Sequence, residues 1–157
     1  MSLLGFLEIK SKLEQYCAYQ ERSIYEVNKK TRAYTDDVKI INQVQSSLLS
    51  DGFLNQGRFV DSYIQGKMNQ KRWGKQKIKS GLIQHKVPIE LIDRGLKAVP
   101  QEIHKANVLI LAEKKARSLK KDENPYEKKS KMLRFLASKG YTLSDCEGLD
   151  FDLLFAP

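Results

Sequence analysis

The stretch Arg22-Ser23-Ile24-Tyr25-Glu26 decides how this chain is read, because its punctuation returns twice more. Ser23 followed three residues later by Glu26 is a capping box: the serine oxygen accepts the Glu26 amide, and the glutamate reaches back to the serine amide. A helix starts there. Equivalent starts stand at Gly74 and at Asn124-Pro125-Tyr126-Glu127, about 50 residues apart in each case, and a second kind recurs at Tyr34-Thr35, Val87-Pro88 and Tyr141-Thr142. Repetition at this period marks tandem helical units, each too small to bury a core alone and stabilised by stacking on its neighbours. The predicted fold is all-α, with three tandem three-helix modules, 1–50, 51–99 and 100–157, stacked into an elongated, curved molecule.

Apolar residues fall at helical spacing between these starts. In the first module Phe6, Ile9, Leu13, Tyr16 and Cys17 give a helix ending near Gln20. A second helix runs from Ser23 to about Ala33, and Thr35-Asp36-Asp37 opens a third with the stripe Val38, Ile41, Val44 and Leu48, closed by Gly52. In the second module Asn55 is the expected N-cap and Phe59, Val60, Tyr63, Ile64 and Met68 the buried stripe. Ile78 and Leu82 face inward after Gly74, and Pro88 suits the first turn of a helix carrying Leu91, Ile92, Leu96 and Val99. The third module has a long helix from about Gln101 to Leu119, apolar around much of its circumference and expected to be central. The helix after Asn124 places Met132, Leu133, Leu136 and Ala137 inside, Gly140 suits a left-handed helix end, and Thr142 begins a short last helix. The segment from Leu149 to Pro157 carries no clear pattern. No sustained alternation of β-branched residues competes with this reading.

Composition narrows the class. The 41% hydrophobic content suffices for a shared core. The longest apolar runs, such as Val108-Leu109-Ile110-Leu111-Ala112, fall far short of the roughly 20 residues of a membrane span. Met1 to Leu7 is mildly apolar but lacks a basic flank and a small-residue cleavage site, so a cytoplasmic location is expected. Cys17 and Cys146 have no metal-ligand spacing and read as buried small hydrophobes.

The net charge of +9 is unevenly spread: +1 over residues 1–50, +6 over 51–99 and +2 over 100–157. No acid occurs between Asp61 and Glu90, a window that holds Lys67, Lys71, Arg72, Lys75, Lys77, Lys79 and Lys86. A polyanion or an acidic groove is the partner such a window suits.

Catalytic and cofactor motifs are missing: there is no phosphate loop ending in Gly-Lys-Ser/Thr, no His-Glu-x-x-His, no Cys-x-x-Cys and no Gly-x-Ser-x-Gly. No catalytic residue, metal or cofactor is expected. His85 and His104 read as polar surface histidines, and Asp145, Glu147, Asp150 and Asp152 as a solvated acidic face rather than a nuclease metal cluster. What remains is Arg72-Trp73-Gly74-Lys75-Gln76-Lys77-Ile78-Lys79, an aromatic among cations at a helix start, where exposed amides would also favour an anion. The plainer alternative has Trp73 plugging a module junction while the lysines solvate the helix. A second run, Lys114, Lys115, Arg117, Lys120 and Lys121, is diluted by Glu113, Asp122 and Glu123 and reads more as a solvated face.

Taken together, these segments resemble the RecX family of RecA regulators from about residue 10 to 150. The match rests on Arg22-Ser23-x-x-Glu26, on Gly52-Phe53-Leu54-Asn55-x-x-Arg58-Phe59 with Tyr63, on Arg72-Trp73-Gly74-x-x-Lys77-Ile78 with Leu82, and on Gly140-Tyr141. Gln56 stands where the family commonly has an acid, Val60 where it has a small residue, and Ser80-Gly81 where a polar-acidic pair is usual. The apolar stripes are used up within and between adjacent modules, so a monomer is expected; the resemblance implies a protein without catalytic residues that docks in the groove of a RecA filament on single-stranded DNA, bridges protomers and inhibits strand exchange and coprotease activity. Direct contact with single- or double-stranded DNA is a further implied partner. The surface expected to meet the filament comprises Arg22, Arg58, Lys67, Lys71, Arg72, Trp73, Lys75, Lys77 and Lys79, with Lys114, Lys115 and Arg117 from the second run. A helical DNA-binding protein acting without RecA is the alternative reading of the same cations.

Overall fold

The computed structural model describes residues 5–157, and Met1 to Leu4 of the apolar start fall outside it. The described residues are all-helical, with no strand among them. In chain order they form α1 (Phe6–Tyr19), α2 (Ile24–Arg32), α3 (Val38–Ser50), α4 (Gln56–Lys71), α5 (Lys75–Gln84), α6 (Ile89–Lys97), α7 (Gln101–Ser118) and α8 (Pro125–Ser138). A single 3-10 turn at Ser144–Cys146 and the short α9 (Phe151–Leu154) follow. Two compact units result: the described residues up to Tyr63 with Leu82–Ile92, and Ile64–Gly81 with Asp93–Pro157. Helices α4, α5 and α6 each divide between them.

In the first unit α1 packs on α2 and α3, and Ile9, Leu13, Cys17, Val27, Val44, Leu48 and Leu54 form one buried cluster. Full burial of such a side chain is worth about 1.5–3 kcal/mol, so this cluster holds the three helices together. Helix starts are set locally. The capping box is present, with the Glu26 amide donating to Ser23 Oγ at 3.0 Å and the Ser23 amide to Glu26 Oε1 at 2.9 Å. Asp37 caps α3 through the Lys39 amide, and Asn55 accepts the Arg58 amide at the start of α4. Gln56, the departure from the family's usual acid, is also used: its Oε1 accepts the Ile24 amide at 3.3 Å. Val38 departs from the expected stripe. It is 66% exposed, because it sits at the first residue of α3 and the buried row begins a turn later at Ile41. Pro88 lies one position before its expected place: α6 starts at Ile89 and the Pro88 carbonyl accepts the Ile92 amide.

In the second unit α7 packs against α8, α9 and the 3-10 turn around Val108, Leu111, Ala112, Met132, Leu136, Tyr141 and Cys146. Helix α7 is not buried all round. His104, Asn107, Val108, Leu111 and Ala112 face inward, while Ile103, Leu109 and Ile110 are more than 40% exposed. Ala137, expected inside, is exposed, since the buried row of α8 is Met132 and Leu136 and the next residue is turned about 100° away. Asn124 caps α8 through the Tyr126 amide, with Pro125 in the first turn. Its other end closes on Gly140 at φ +98°, with Gly140 N donating to Ala137 O and Tyr141 N to Leu136 O, each at 3.0 Å. Thr142 and Asp145 form a second reciprocal box, which opens only the 3-10 turn. The unassigned tail holds α9, capped by Asp150 through the Leu153 amide.

Candidate functional site

Residues Arg72, Trp73 and Gly74 link α4 to α5, and the link is held by long-range contacts within the second unit. Arg72 adopts φ +54°, a left-handed conformation that disfavours a side chain by about 1–2 kcal/mol. Such a conformation persists only where its surroundings over-determine it. Here Asn107, buried on α7, accepts a guanidinium hydrogen bond from Arg72 at 2.9 Å and donates its amide to the Met68 carbonyl at 3.3 Å. The Tyr141 hydroxyl donates to the Arg72 carbonyl at 2.6 Å. Burial pushes the Tyr141 phenol far up, with the Asp145 carboxylate adding to the rise, so this donor keeps its proton.

Gly74 and Gly140 let α5 begin against the end of α8. The Gly74 amide donates to Lys139 O at 2.7 Å, the Gln76 amide to Gly140 O at 3.1 Å, and Lys77 Nζ to Ser138 O at 3.2 Å. The positive end of one helix thereby meets the negative end of the other, an arrangement both dipoles favour. This narrows the expectation of anion-binding amides at the start of α5, because the Lys139 and Gly140 carbonyls already take the Gly74 and Gln76 amides.

Two ammonium groups approach the half-buried Trp73 ring, Lys67 Nζ at 4.8 Å and Lys77 Nζ at 4.6 Å from the ring centroid. Both cations are drawn by the negative ring face. Lys71 is exposed and Lys75 half-exposed on the same segment, while Lys79 pairs with Asp93 at 3.3 Å, an acid from beyond the acid-free window. Lys114 and Arg117 are exposed on α7, and Lys115 lies over the Phe135 ring at 5.2 Å. The second unit thus gathers ten of the expected residues, with Lys77 and Arg72 also serving the fold.

Arg22 and Arg58 belong to the first unit. Arg22 donates to Tyr16 O at 2.9 Å with its guanidinium 3.7 Å above the Tyr16 ring. Arg58 is committed to Glu21 at 2.9 Å and to the Gly52 carbonyl at 2.7 Å.

Neither histidine is a plain surface residue. His104 is 3% exposed, with Nδ1 3.7 Å from Asp145, its ring 5.1 Å from that of Tyr141, and Nε2 unpaired. Burial lowers its pKa, the Asp145 charge opposes that, and the Lys75 charge reinforces it. His85 is partly buried against the Phe59 and Tyr63 rings, with Nδ1 3.3 Å from Ser23 Oγ and 3.7 Å from Glu26. Serine, histidine and carboxylate are therefore together, but not as a relay. Serine and glutamate meet the same ring nitrogen, and Ser23 is fully buried in its capping box. Cys17 is buried, and burial pushes its thiol up to about 11. Among the described residues no group of three or more His, Cys, Asp or Glu is placed to hold a metal ion. Asp145 and Asp150 act as caps instead. No helix among those residues is long and apolar enough to cross a membrane.

Sequence reasoning missed Asn107, which with Tyr141 shapes the Arg72 link. A lone asparagine inside the apolar run of α7 was the available signal.

Comparison with known proteins points to one family. Family models for the second and third three-helix domains of RecX match residues 55–96 and 105–147, together more than half of the chain. Regulatory protein RecX of Clostridium tetani (strain Massachusetts / E88) is 34% identical over 137 residues, 87% of this chain and 61% of that protein. Regulatory protein RecX of Bacillus mycoides (strain KBAB4) is 32% identical over 127 residues, 81% of this chain and 47% of that protein. The chain thus spans about half to three-fifths of the length of these relatives. A solved structure of RecX from Lactobacillus salivarius superposes with a TM-score of 0.80 over 95% of this chain and 93% of that one, at 21% identity. A second RecX crystal structure gives 0.82 over 91% and 70%, at 20% identity. Both share the fold.

Proposed function

The chain belongs to the RecX family, and on that premise we propose that it is a non-enzymatic cytoplasmic regulator of the RecA recombinase. It binds, as a monomer, in the groove of the RecA filament on single-stranded DNA and inhibits recombinase and coprotease activity, which tempers recombination and the SOS response. The observation that carries the reading is the Arg72-Trp73-Gly74 link: a family motif held in a strained conformation, with a half-buried tryptophan whose ring both Lys67 and Lys77 approach. A rigid aromatic rimmed by cations is the type of anchor that dominates binding interfaces. Lys71, Lys75, Lys114, Lys115 and Arg117 extend its positive charge, and Arg22 and Arg58 of the first unit complete the proposed contact set.

The test is RecA ATPase and filament disassembly with this protein titrated in. The parent should inhibit both. Lys71→Glu with Lys75→Glu should remove the inhibition while leaving the circular dichroism spectrum unchanged. Lys77 is left intact in this variant because its ammonium closes the end of α8. A folded double variant that inhibits as well as the parent would overturn the assignment of this surface. The alternative, a helical DNA-binding protein acting without RecA, draws on the same net charge of +9. It requires steep salt dependence of binding to bare DNA and no effect on RecA.

A further inference from the structure

A groove of about 940 Å³ lies in the second unit, bounded by α7, the first turn of α8 and α9. Its wall is largely aliphatic. Ala116 and Leu154 rest on the core of the unit, while Leu109 and Leu153 line the groove from positions 44% and 73% exposed. Side chains of this size left in water on α7 and α9 are uncovered contact area. Cations mark the edge. Arg117, Lys121 and Lys128 line the groove, and Lys128 Nζ is fixed there, donating to Lys121 O at 3.3 Å and lying 5.7 Å from the Phe155 centroid. Of the two carboxylates in the lining, Asp150 is engaged in the cap of α9, which leaves Glu113, one turn before Arg117. Asp122 and Glu123 lie outside the lining, and Glu123 pairs with Lys131 at 2.8 Å.

From this groove we infer a docking site for a short peptide segment of another protein, one in which acidic and aliphatic side chains alternate. The inference goes beyond the RecA reading and does not rest on it. Three cations against one uncommitted acid select an anionic partner. The aliphatic wall selects what lies between its charges, side chains such as leucine that gain by leaving water. A nucleic acid strand fits less well, because bases stack on open aromatic faces. Phe155, the aromatic residue in the lining, already meets Lys128 and, at 5.9 Å, the Phe151 ring. A small ligand enclosed by the groove would leave the exposed faces of Leu109 and Leu153 in water, whereas a segment of chain laid along it covers both.

Fluorescence anisotropy of a labelled synthetic octapeptide of alternating Asp and Leu, with the full chain and no RecA present, tests this. The parent should bind it on the order of tenfold tighter than an Asp-Ser octapeptide of equal charge or a Lys-Leu octapeptide. Leu153→Gln, which keeps the amide that Asp150 caps, should weaken binding about tenfold. Lys121→Glu should weaken it by a similar factor and reduce its salt dependence. Both side chains are exposed, and thermal midpoints equal to the parent's show that the variants fold. Arg117, shared with the proposed filament surface, is left intact. Absence of binding, equal binding of the two acidic peptides, or an undiminished affinity in a folded Leu153→Gln variant would overturn the inference. So would displacement of the peptide by oligo-dT or by decanoate whose own binding both variants weaken, which would assign the groove to a nucleic acid strand or to a fatty acid. Because RecA takes no part, failure here leaves the RecA reading standing, and loss of RecA inhibition leaves this one.

Discussion

Gly74 and Gly140 touch backbone to backbone: a Cβ built on Gly74 would lie 2.4 Å from the Gly140 carbonyl oxygen, and one on Gly140 would lie 2.6 Å from the Lys77 amide nitrogen. Both obstacles are main chain, so no side-chain rotation relieves them. The junction of α5 with α8, and the placement of Trp73 and its flanking lysines, depends on this pair.

Gly74→Ala should therefore destabilise the protein by about 1–3 kcal/mol or more, the range for forced overpacking. At this chain length each kcal/mol lowers the melting midpoint by about 2–4 °C, which a thermal scan resolves. Gly66→Ala, with open space around its Cβ, is the control and should leave the midpoint within a degree or two or raise it. Equal midpoints for Gly74→Ala and parent would show that the helices do not meet this closely.

Tyr141→Phe removes the hydroxyl that donates to the Arg72 carbonyl. Its cost should be about 1–2 kcal/mol, because a partly buried acceptor loses its partner. The variant should also release the Arg72-Trp73 link, seen as a red shift in Trp73 emission. An unchanged spectrum and midpoint together would remove Tyr141 from the support of that link.

Lys86 adopts φ +59° after α5, with its own amide bonded to Ile83 O and the Val87 amide to Leu82 O. Glycine occupies such a position at no steric cost. Lys86→Gly should stabilise by about 0.5–1 kcal/mol, the relief of left-handed strain less the added freedom of the unfolded chain. Denaturant titration reads this as a higher midpoint at unchanged slope.

His104 is neutral in its buried site, and its folded pKa is lowered by burial. The unfolded chain then binds the proton more readily, at the ordinary value near 6.5. The stability this neutral form contributes is complete above that value and is lost as pH falls toward the folded pKa. Asp145, Lys75 and Tyr141 face the ring, and the Asp145 charge limits the loss. The melting midpoint should fall below about pH 6.5, and His104→Gln should flatten that part of the profile. A parallel fall in both proteins would place the sensitivity elsewhere.

Local signals carried most of the secondary structure. The Ser23–Glu26 box and the Asn55 and Asn124 caps each act across two or three residues, so a short window contains both partners. The buried rows Ile41, Val44 and Leu48, and Ile78 and Leu82, follow from helical period alone. The residues that failed are those where position along a helix did not decide exposure: Val38 before its helix meets a neighbour, Ala137 one step off the stripe, and Ile103 and Ile110 on the outer side of α7.

By itself the sequence determined the eight longer helices, most of their starts and stops, the tandem period and the family, because capping and periodicity are set within a turn or two of chain. Only the tertiary structure decided which charges are occupied. Arg58 finds Glu21 37 positions away, Arg72 finds Asn107 35 away, Lys77 finds the Ser138 carbonyl 61 away, and His104 is buried opposite Asp145. Pairing and desolvation act through space, so a cation that looks free in a local window is free only if no distant segment of the fold comes to meet it.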